Sequence, residues 1–395
     1  MIYKDFQVIK LSQLGFGTMR LPTLENGEIN QPLFEEMVDY AIKNGVNYFD
    51  TAYPYHGGKS EIATGLALKK YPRDSYYLAT KYPGHQIASE YNPAEIFEEQ
   101  LKKCGVEYFD FYLLHNVYEK SSETYMDERW GIVDYFVKQK ELGRIRHLGF
   151  SSHGRYDNLK EFLDYCGDKM EFCQLQLNYI DWTLQQGREK CDLLKERGIP
   201  VWVMEPVRGG ALAKLAPQQE EKLKALRPDD SVASWAFRFL QGIDNITVVL
   251  SGMSDMAQVA DNVKTFTVEK PLSEEDVNLL FDIAESLKDA VPCTACRYCC
   301  DGCPVGLDIP ALISYYNELK LTPGSLNVGM RVEALPADKQ PSACIGCGAC
   351  TSICPQNIDI PQIMKDLAQQ LEKIPSWAEI CRQRDEAARK AKESK

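Results

Sequence analysis

The sequence predicts an α/β fold in which a (β/α)8 TIM barrel is followed by a smaller α-helical domain. Short apolar runs alternate with longer amphipathic stretches over about 250 residues, which gives eight strand–helix units. No G-x-G-x-x-G sequence follows the first strand, as a Rossmann domain would require. Cysteines, in contrast, concentrate after residue 290. We place the barrel at residues 1–290, the smaller domain at 291–375 and a charged C-terminal helix or tail at 376–395.

Most strand candidates are continuous apolar runs, the pattern expected of parallel strands whose outer face is covered by helices. In chain order they are Leu14–Thr18, Val46–Thr51, Tyr76–Lys81, Phe109–His115, Arg146–Ser151, Phe172–Asn178, Pro200–Met204 and Ile246–Ser251. Helical stretches are expected at 31–44, 58–70, 92–104, 128–142, 154–166, 185–197, 231–240 and 255–263. Asn92 and Ser231 are suitable N-cap residues for two of these helices.

The composition is that of a globular protein, with 44% apolar residues, 26% charged residues and a formal net charge of −12. A surface this acidic disfavours nucleic acids and anionic membranes as partners. No run of about 18 uncharged apolar residues is long enough to cross a bilayer. Charges also interrupt the first residues, where a signal peptide would be apolar. We therefore expect a cytoplasmic protein.

Nine of the fourteen cysteines form two short blocks. Both blocks fit C-x2-C-x2-C-x3-C-P, the arrangement of bacterial ferredoxins that bind 4Fe–4S clusters. The blocks repeat after 51 residues, and Gly306-Leu-Asp-Ile-Pro310 recurs as Asn357-Ile-Asp-Ile-Pro361. In such paired runs the fourth cysteine of each block binds the other cluster. The predicted ligands are Cys293, Cys296, Cys299 and Cys354 for one cluster, and Cys344, Cys347, Cys350 and Cys303 for the other.

Two zinc sites or buried free thiols are the alternative interpretations of these cysteines. Zinc sites usually pair two C-x2-C knuckles, whereas here three cysteines follow one another at three-residue intervals. The insert 304–343 is expected to be a helix followed by a loop, which favours an α-helical ferredoxin-like module over the compact β-hairpin form. Cys300 does not fit the run; it could substitute for Cys299 as a ligand, but we interpret it as a packing residue. The other cysteines that we interpret as packing residues are Cys104, Cys166, Cys173, Cys191 and Cys381.

Polar side chains follow the predicted strands at their carboxyl ends, where (β/α)8 barrels carry their chemistry. Asp50 and Tyr55 follow the second strand, Lys81 ends the third and His115 ends the fourth. A lysine ammonium favours the phenolate, so we expect Lys81 to lower the pKa of Tyr55. Asp50 would keep Lys81 charged. The set suits carbonyl reduction, with Tyr55 as general acid and His115 either orienting the carbonyl oxygen or helping the proton to move. No such role is assigned to His56, His85, His147 or His153.

The barrel resembles the aldo–keto reductases over roughly residues 8–265. The matching motifs are Leu14-Gly-Phe-Gly-Thr18, Phe49-Asp-Thr-Ala-x-x-Tyr55, Ser60-Glu61, Ala79-Thr-Lys81, Leu113-Leu-His115 and Gly143-x-Ile-Arg-x-Leu-Gly149. The resemblance implies a catalytic tetrad of the four residues above and a nicotinamide cofactor, NADP(H) or NAD(H), across the barrel mouth. With its cluster domain, the whole chain is similar to the ferredoxin-fused branch of the family. The cofactor-binding residues that the resemblance implies are Ser151, Ser152, Gln174, Met204, Gly252, Gln258 and Asn262.

Three of these positions depart from the family pattern. Met204 replaces the aromatic residue that stacks on the nicotinamide, and Ser152 replaces an asparagine. Gln258 stands where an arginine would contact the adenosine 2′-phosphate, which weakens the case for NADPH relative to NADH. Arg208 and Lys264 are the alternative cations for that phosphate.

The leading hypothesis is an oxidoreductase that transfers hydride between NAD(P)H and a small carbonyl or alcohol. Two 4Fe–4S clusters would have an electron-transfer or structural role. Because a hydride carries two electrons and a cluster normally takes one, direct coupling would need a flavin, for which the sequence has no signature. The alternatives are an electron-transfer protein whose clusters serve a partner protein, and a nucleotide-binding redox sensor without catalysis.

Overall fold

The computed structural model describes residues 1–287, 291, 293, 297–354 and 358–393. Two compact units divide the chain, Met1–Leu280 and a second unit that begins at Phe281. The division falls within the helix Glu274–Leu287. The predicted boundary at residue 290 lies outside the described residues and stays a prediction.

The first unit is a closed barrel of eight parallel strands, as predicted. An antiparallel hairpin that was not predicted precedes it, formed by β1 (Tyr3–Phe6) and β2 (Ile9–Ser12). The barrel strands are β3 (Leu14–Gly17), β4 (Tyr48–Asp50), β5 (Tyr77–Tyr82), β6 (Phe109–Val117), β7 (Ile145–Ser152), β8 (Cys173–Gln176), β9 (Val201–Met204) and β10 (Ile246–Gly252). Consecutive strands pair with each other, and β10 pairs with β3 to close the cylinder.

The hairpin closes the amino-terminal end of the barrel. The Phe6 ring lies 5.1 Å from the Trp202 ring, 5.0 Å from His147 and 5.7 Å from Phe111, measured between centroids. These rings come from different strands, so one side chain of the hairpin fills the space between them. Phe6 is buried with this apolar cluster.

Four helices of the first unit, beginning at Gln31, Pro93, Val232 and Met256, are preceded by a residue whose side chain accepts from a free amide group of the first turn. The Asn92 side chain accepts from the Glu95 amide and Ser231 accepts from the Ser234 amide, as predicted. The helices are α1 (Gln31–Lys43), α2 (Ser60–Leu68), α3 (Pro93–Cys104), α4 (Ser121–Met126), α5 (Ile132–Glu141), α6 (Tyr156–Cys166), α7 (Asp181–Leu184), α8 (Gly187–Glu196), α9 (Pro217–Leu226), α10 (Val232–Gln241), α11 (Met256–Thr267) and α12 (Glu274–Leu287).

The described residues of the second unit are largely helical. Its helices are α13 (Tyr298–Asp301), α14 (Ile309–Leu321), α15 (Leu326–Glu333), α16 (Ala349–Ser352), α17 (Ile360–Leu371) and α18 (Trp377–Glu393). The predicted loop after α14 was wrong in part, because α15 forms there. Its Arg331 makes a buried ion pair with Glu318 of α14, which stabilises this helix against its neighbour.

The internal repeat of the sequence is also a repeat of structure. Asp308 and Asp359 cap α14 and α17 by accepting from the amides of Ala311 and Gln362. Each aspartate is followed by Ile-Pro, and proline is favoured in the first turn of a helix because it needs no amide partner. The two helices pack against each other and bury one apolar core.

Candidate active site and metal centre

The four predicted catalytic residues lie together at the carboxyl end of the barrel. Asp50 ends β4, Lys81 lies near the end of β5 and His115 near the end of β6, while Tyr55 begins a short 3-10 turn after β4. The Lys81 Nζ donates to Asp50 Oδ1 at 2.5 Å and to the Thr51 carbonyl at 2.8 Å. It also lies 3.5 Å from the Tyr55 hydroxyl. The amine therefore joins the carboxylate to the phenol.

Lys81 stays charged although its side chain is fully buried. Burial alone would lower the pKa of Lys81, but the Asp50 carboxylate and the Tyr55 hydroxyl outweigh it, and the pKa is raised. An ammonium at this position can stabilise a phenolate on Tyr55.

Lys81 has the expected lowering effect on the pKa of Tyr55, but the pKa is nevertheless raised overall. Burial raises the pKa of Tyr55 above its ordinary value of 10, and the opposing effect of Lys81 does not compensate for it. The nearby carboxylates of Asp50 and Glu205 also raise the pKa. Tyr55 therefore keeps its proton at neutral pH.

A second histidine lies beside the group, at a position the sequence did not single out. The ring of His85, in the loop after β5, lies 4.4 Å from the ring of His115 at an angle of 63°. The His115 ring also lies 5.7 Å from the Tyr55 ring at 81°. The place of His85 depends on the path of a loop, for which the sequence carries no periodic signal.

A buried hydrogen-bonded network supports Lys81 from outside the barrel. The Gln100 side chain donates to the Lys81 carbonyl at 3.0 Å and to Glu61 at 2.7 Å. Tyr112 donates to the Gln100 side-chain oxygen at 2.5 Å. Burial raises the pKa of the Glu61 carboxyl. The sequence showed Glu61 only as part of the Ser60-Glu61 motif. Its contact with Gln100 could not be predicted, because it depends on how α2 packs on α3.

The residues predicted to bind the nicotinamide lie on adjacent strands β7, β8 and β9. Ser151 neighbours Gln174 in the strand register, and the Gln174 amide lies 3.6 Å from the Met204 sulfur. The Gln174 Oε1 atom is buried and has no hydrogen-bond partner within the described chain. The Ser151 oxygen accepts from the Asn116 amide at 2.7 Å, which leaves its hydroxyl proton for another acceptor. An acceptor and a donor side by side fit a carboxamide group.

Ser152 is less available to donate to a cofactor, since its hydroxyl donates to the Val117 carbonyl at 3.0 Å. Gly252 ends β10, which is separated from the strand of Gln174 by β9 alone, and a Cβ at Gly252 would lie 3.2 Å from the Arg20 side chain. The buried Asn262 side chain donates to Ser251 at 2.9 Å. The predicted cofactor-binding residues on β7 to β10 thus lie along one continuous arc of the barrel mouth.

The three residues considered for a 2′-phosphate are engaged elsewhere. Gln258 lies in the first turn of α11, where its side chain accepts from the Ser254 amide and donates to Asp255. Arg208 is buried in an ion pair with Asp181, which contradicts its role as an alternative phosphate ligand. Lys264 donates to the Asp229 carbonyl at 3.3 Å.

The described cysteines are all free thiols. Those outside the two blocks are buried, in agreement with packing roles. Within the blocks Cys299 and Cys350 are buried, Cys347 is exposed and Cys300 is intermediate, while Cys296 lies outside the described residues. Burial and the neighbouring Cys300 raise the pKa of the Cys299 thiol to about 12. Metal binding there must displace a proton.

One cavity brings together cysteines of both blocks. Cys303 of the first block lines it together with Cys344, Cys347 and Cys350 of the second. The remaining lining residues are Pro304, Val305, Leu307, Ile309, Ile345, Gly348, Ile360, Pro361 and Met364. In the described part of the chain, no three His, Cys, Asp or Glu side chains are close enough to bind a single ion. Four thiols around an apolar space fit a 4Fe–4S cluster.

Comparison with known proteins identifies both parts of the chain. Residues 13–285 match the model of the aldo/keto reductase family, and residues 292–358 match that of a 4Fe-4S dicluster domain. The chain belongs to the aldo/keto reductase family. It is an NAD(P)H-dependent oxidoreductase of this family with a C-terminal 4Fe-4S dicluster domain, and the predicted fused architecture is confirmed.

Three similar proteins each match about 70% of this chain. The NADH-specific methylglyoxal reductase of Escherichia coli (strain K12) is 26% identical over 325 residues, which are 71% of this chain and 97% of that protein. The uncharacterized oxidoreductase YqkF of Bacillus subtilis (strain 168) is 26% identical over 302 residues, or 69% of this chain and 92% of its own. The structure of aldo-keto reductase AKR11C1 from Bacillus halodurans in its holo form has a TM-score of 0.58 at 26% identity. It covers 72% of this chain and 96% of its own.

Every helix among the described residues is too short or too polar to span a lipid bilayer.

Proposed function

We propose that this reductase transfers a hydride between a nicotinamide cofactor and a small carbonyl or alcohol, with Tyr55 as the general acid. The contact that carries the proposal is the 3.5 Å distance between the Lys81 amine and the Tyr55 hydroxyl. Asp50 holds the same amine from the other side. A phenol beside a fixed ammonium can give up its proton because the phenolate is stabilised as it forms.

Each residue of the group has a distinct task. The bound nicotinamide supplies the hydride that reaches the carbonyl carbon. Tyr55 donates its proton to the carbonyl oxygen, Lys81 stabilises the resulting phenolate and Asp50 keeps Lys81 charged. His115 orients the carbonyl oxygen toward Tyr55. Because the Tyr55 pKa is raised, the hydroxyl carries the proton that it would donate at neutral pH.

The cofactor is held by residues of the barrel mouth. Ser151 and Gln174 would bind the carboxamide through one donor and one acceptor. Gln258 carries no charge, Arg208 is paired with Asp181, and Lys264 donates to the Asp229 carbonyl instead of standing beside Gln258 as an unengaged cation. This supports NADH over NADPH. The relative from Escherichia coli is an NADH-specific methylglyoxal reductase, so methylglyoxal with NADH is the first combination to test.

The second unit would bind two 4Fe–4S clusters with the ligand sets given by the sequence. Cys303 beside Cys344, Cys347 and Cys350 supports the exchange of the fourth ligand between blocks. The alternative function, electron transfer to a partner protein, is supported by the exposure of Cys347. A ligand at the surface would place its cluster within reach of another protein.

The test of the proposed function is the variant Tyr55→Phe, assayed anaerobically against a carbonyl panel with NADH and NADPH. General acid catalysis is typically worth about 10²–10⁴-fold, and kcat should fall by that factor. Tyr53→Phe is the matched control, because that tyrosine stands in the same loop and bonds Glu99 instead. Unchanged turnover in Tyr55→Phe would refute the proposal. Cys350→Ser should leave carbonyl turnover intact, and loss of one-electron acceptor reduction in that variant would support the alternative.

A further inference from the structure

His85 lies beside the proposed tetrad, and neither the motifs nor the proposed chemistry provides a role for it. It is 5% exposed, and its ring meets the His115 ring edge to face with a centroid separation of 4.4 Å. The His115 ring has a second edge-to-face contact with Tyr55 at 5.7 Å. His115 is thus in contact with an aromatic ring from each of two different loops.

The loop that carries His85 is fixed by Tyr125 of α4. The Tyr125 hydroxyl lies 2.7 Å from the His115 carbonyl and 3.1 Å from the Tyr82 carbonyl, and donates toward both. Gly84 approaches the same ring so closely that a Cβ would lie 2.6 Å from it. Any larger residue at 84 would displace the loop. Tyr125 therefore joins the ends of β5 and β6 and brings His85 onto His115.

This contact matters because the torsion that turns an imidazole has broad energy wells. The backbone of β6 places the Cβ of His115 but leaves the direction of its ring open. An aromatic edge packs favourably against an aromatic face, so a neighbouring ring selects one orientation. In the proposed reaction the direction of the His115 ring decides where the substrate carbonyl lies relative to Tyr55.

We propose that His85 is a positioning residue that holds the His115 imidazole in the orientation required for carbonyl reduction. The proposal rests on the proposed function of His115. His85 acts through His115 and needs no contact with substrate or cofactor. Its effect should therefore appear in kcat, while the dissociation constant of the nucleotide remains unchanged.

A double-mutant cycle tests this with the full-length holoenzyme. Since misplacement by about 1 Å can cost up to about 10²-fold in rate, His85→Ala should lower kcat by about 10-fold. His85→Phe keeps a flat ring and should stay within about 3-fold of the wild type. In a His115→Gln background, His85→Ala should change kcat by less than about 2-fold, because residues that act through one another are not additive. Equal losses in both backgrounds, or no rescue by phenylalanine, overturn the proposal.

A spectroscopic measurement gives an answer that does not depend on turnover. The chain has five histidines, and selective ¹³C labelling resolves their ring signals by NMR. The His115 signal should shift in His85→Ala and return toward the wild-type position in His85→Phe. His147, which stacks on Phe111 at 4.9 Å at the opposite end of the barrel, serves as the internal control. An unmoved His115 signal contradicts the positioning role, whereas full activity of Tyr55→Phe would contradict only the proposed function.

Discussion

Two buried charged side chains at the mouth of the barrel each meet an opposite charge. Lys81 pairs with Asp50, and Arg208 pairs with Asp181, all at exposures of 4% or less. Removing one partner of such a pair strongly destabilises the fold, because it leaves the other charge buried without a counter-charge or water. The Arg208 pair fixes the loop after β9, in which Glu205 and Arg208 both have positive φ angles of 56° and 47°. Strain of this kind is typical of functional sites.

Glu171 provides a prediction about stability and pH. Burial would raise the pKa of Glu171, but hydrogen bonds from His147, Lys140 and Gln7 outweigh it and lower the pKa to about 2. A carboxyl with a depressed folded-state pKa stabilises the fold above its unfolded value near 4.5 and loses this contribution as the pH falls toward 2. We expect Glu171→Gln to reduce the free energy of unfolding by about 3 kcal/mol at pH 7.

Urea unfolding of Glu171→Gln and the wild type, followed by tryptophan fluorescence between pH 7 and pH 3, measures this contribution. The difference between the two proteins should shrink as the pH falls below 4.5. Glu98→Gln is the control, because Glu98 is an exposed partner of Arg144 and exposed ion pairs contribute about 0–1 kcal/mol. A constant difference across this range contradicts the explanation.

Single residues of the site were predictable where a strand determines their position. Asp50, Lys81 and His115 lie at or near strand ends, and parallel strand ends meet at one rim of a barrel. Their mutual approach therefore followed from the periodicity of the sequence. The raised pKa of Tyr55 could not be predicted in this way, because the sequence does not show whether the effect of burial outweighs that of Lys81. His85 and the Arg208 pair depend on loop paths, which the sequence pattern does not encode.

Helices and strands of the barrel were predicted well because each has a continuous apolar face. The predicted strand Tyr76–Lys81, for example, is Tyr77–Tyr82 in the structure. The hairpin β1–β2 was missed because it has no continuous apolar run: its strands are half exposed, unlike the buried strands of the barrel. Helix α15 was missed because the Thr322-Pro-Gly turn signal directly before it also matches the start of a longer loop.

The packing of α2 on α3 predicts that a substitution favoured by helix propensity will destabilise the protein. Gly65 lies inside α2, and a Cβ there would be 2.4 Å from the Cys104 carbonyl oxygen. Alanine normally stabilises a helix by about 1 kcal/mol relative to glycine, but overpacking costs about 1–3 kcal/mol. Because backbone atoms cannot rotate aside, we expect Gly65→Ala to lower the melting temperature.

Gly329→Ala is the matched control for this variant. Gly329 is also inside a helix, α15, but its Cβ would lie at an ordinary 3.4 Å from Ile374. This substitution should be neutral or stabilising in the same thermal unfolding experiment. A rise in melting temperature for Gly65→Ala would show that α2 and α3 can move apart at little cost.

On the scale of the whole molecule, the chain carries two chemistries on separate compact units. The barrel contains the reductase residues, and the second unit contains the cysteine blocks. The fold and the family of both units followed from the sequence, since barrel periodicity and cysteine spacing are specific signals. The substrate did not follow, because loops rather than strands line the barrel mouth.

The number of clusters is open to direct measurement in the intact chain. Two 4Fe–4S clusters correspond to about eight iron atoms per chain. We expect Cys303→Ser to reduce this to about four, because Cys303 lines the cavity of the second block. Cys300→Ser is the control and should retain all the iron. Equal iron loss in both variants would contradict the ligand assignment.

The Phe6 hairpin blocks the end of the barrel that lies opposite the proposed catalytic residues. Everything that reaches Tyr55 must therefore pass through the same rim, the nucleotide and the compound to be reduced alike. Two ligands that enter through the same opening cannot bind and dissociate independently. The ligand that binds deeper has to bind first and dissociate last, so product-inhibition patterns should reveal an obligatory order of binding.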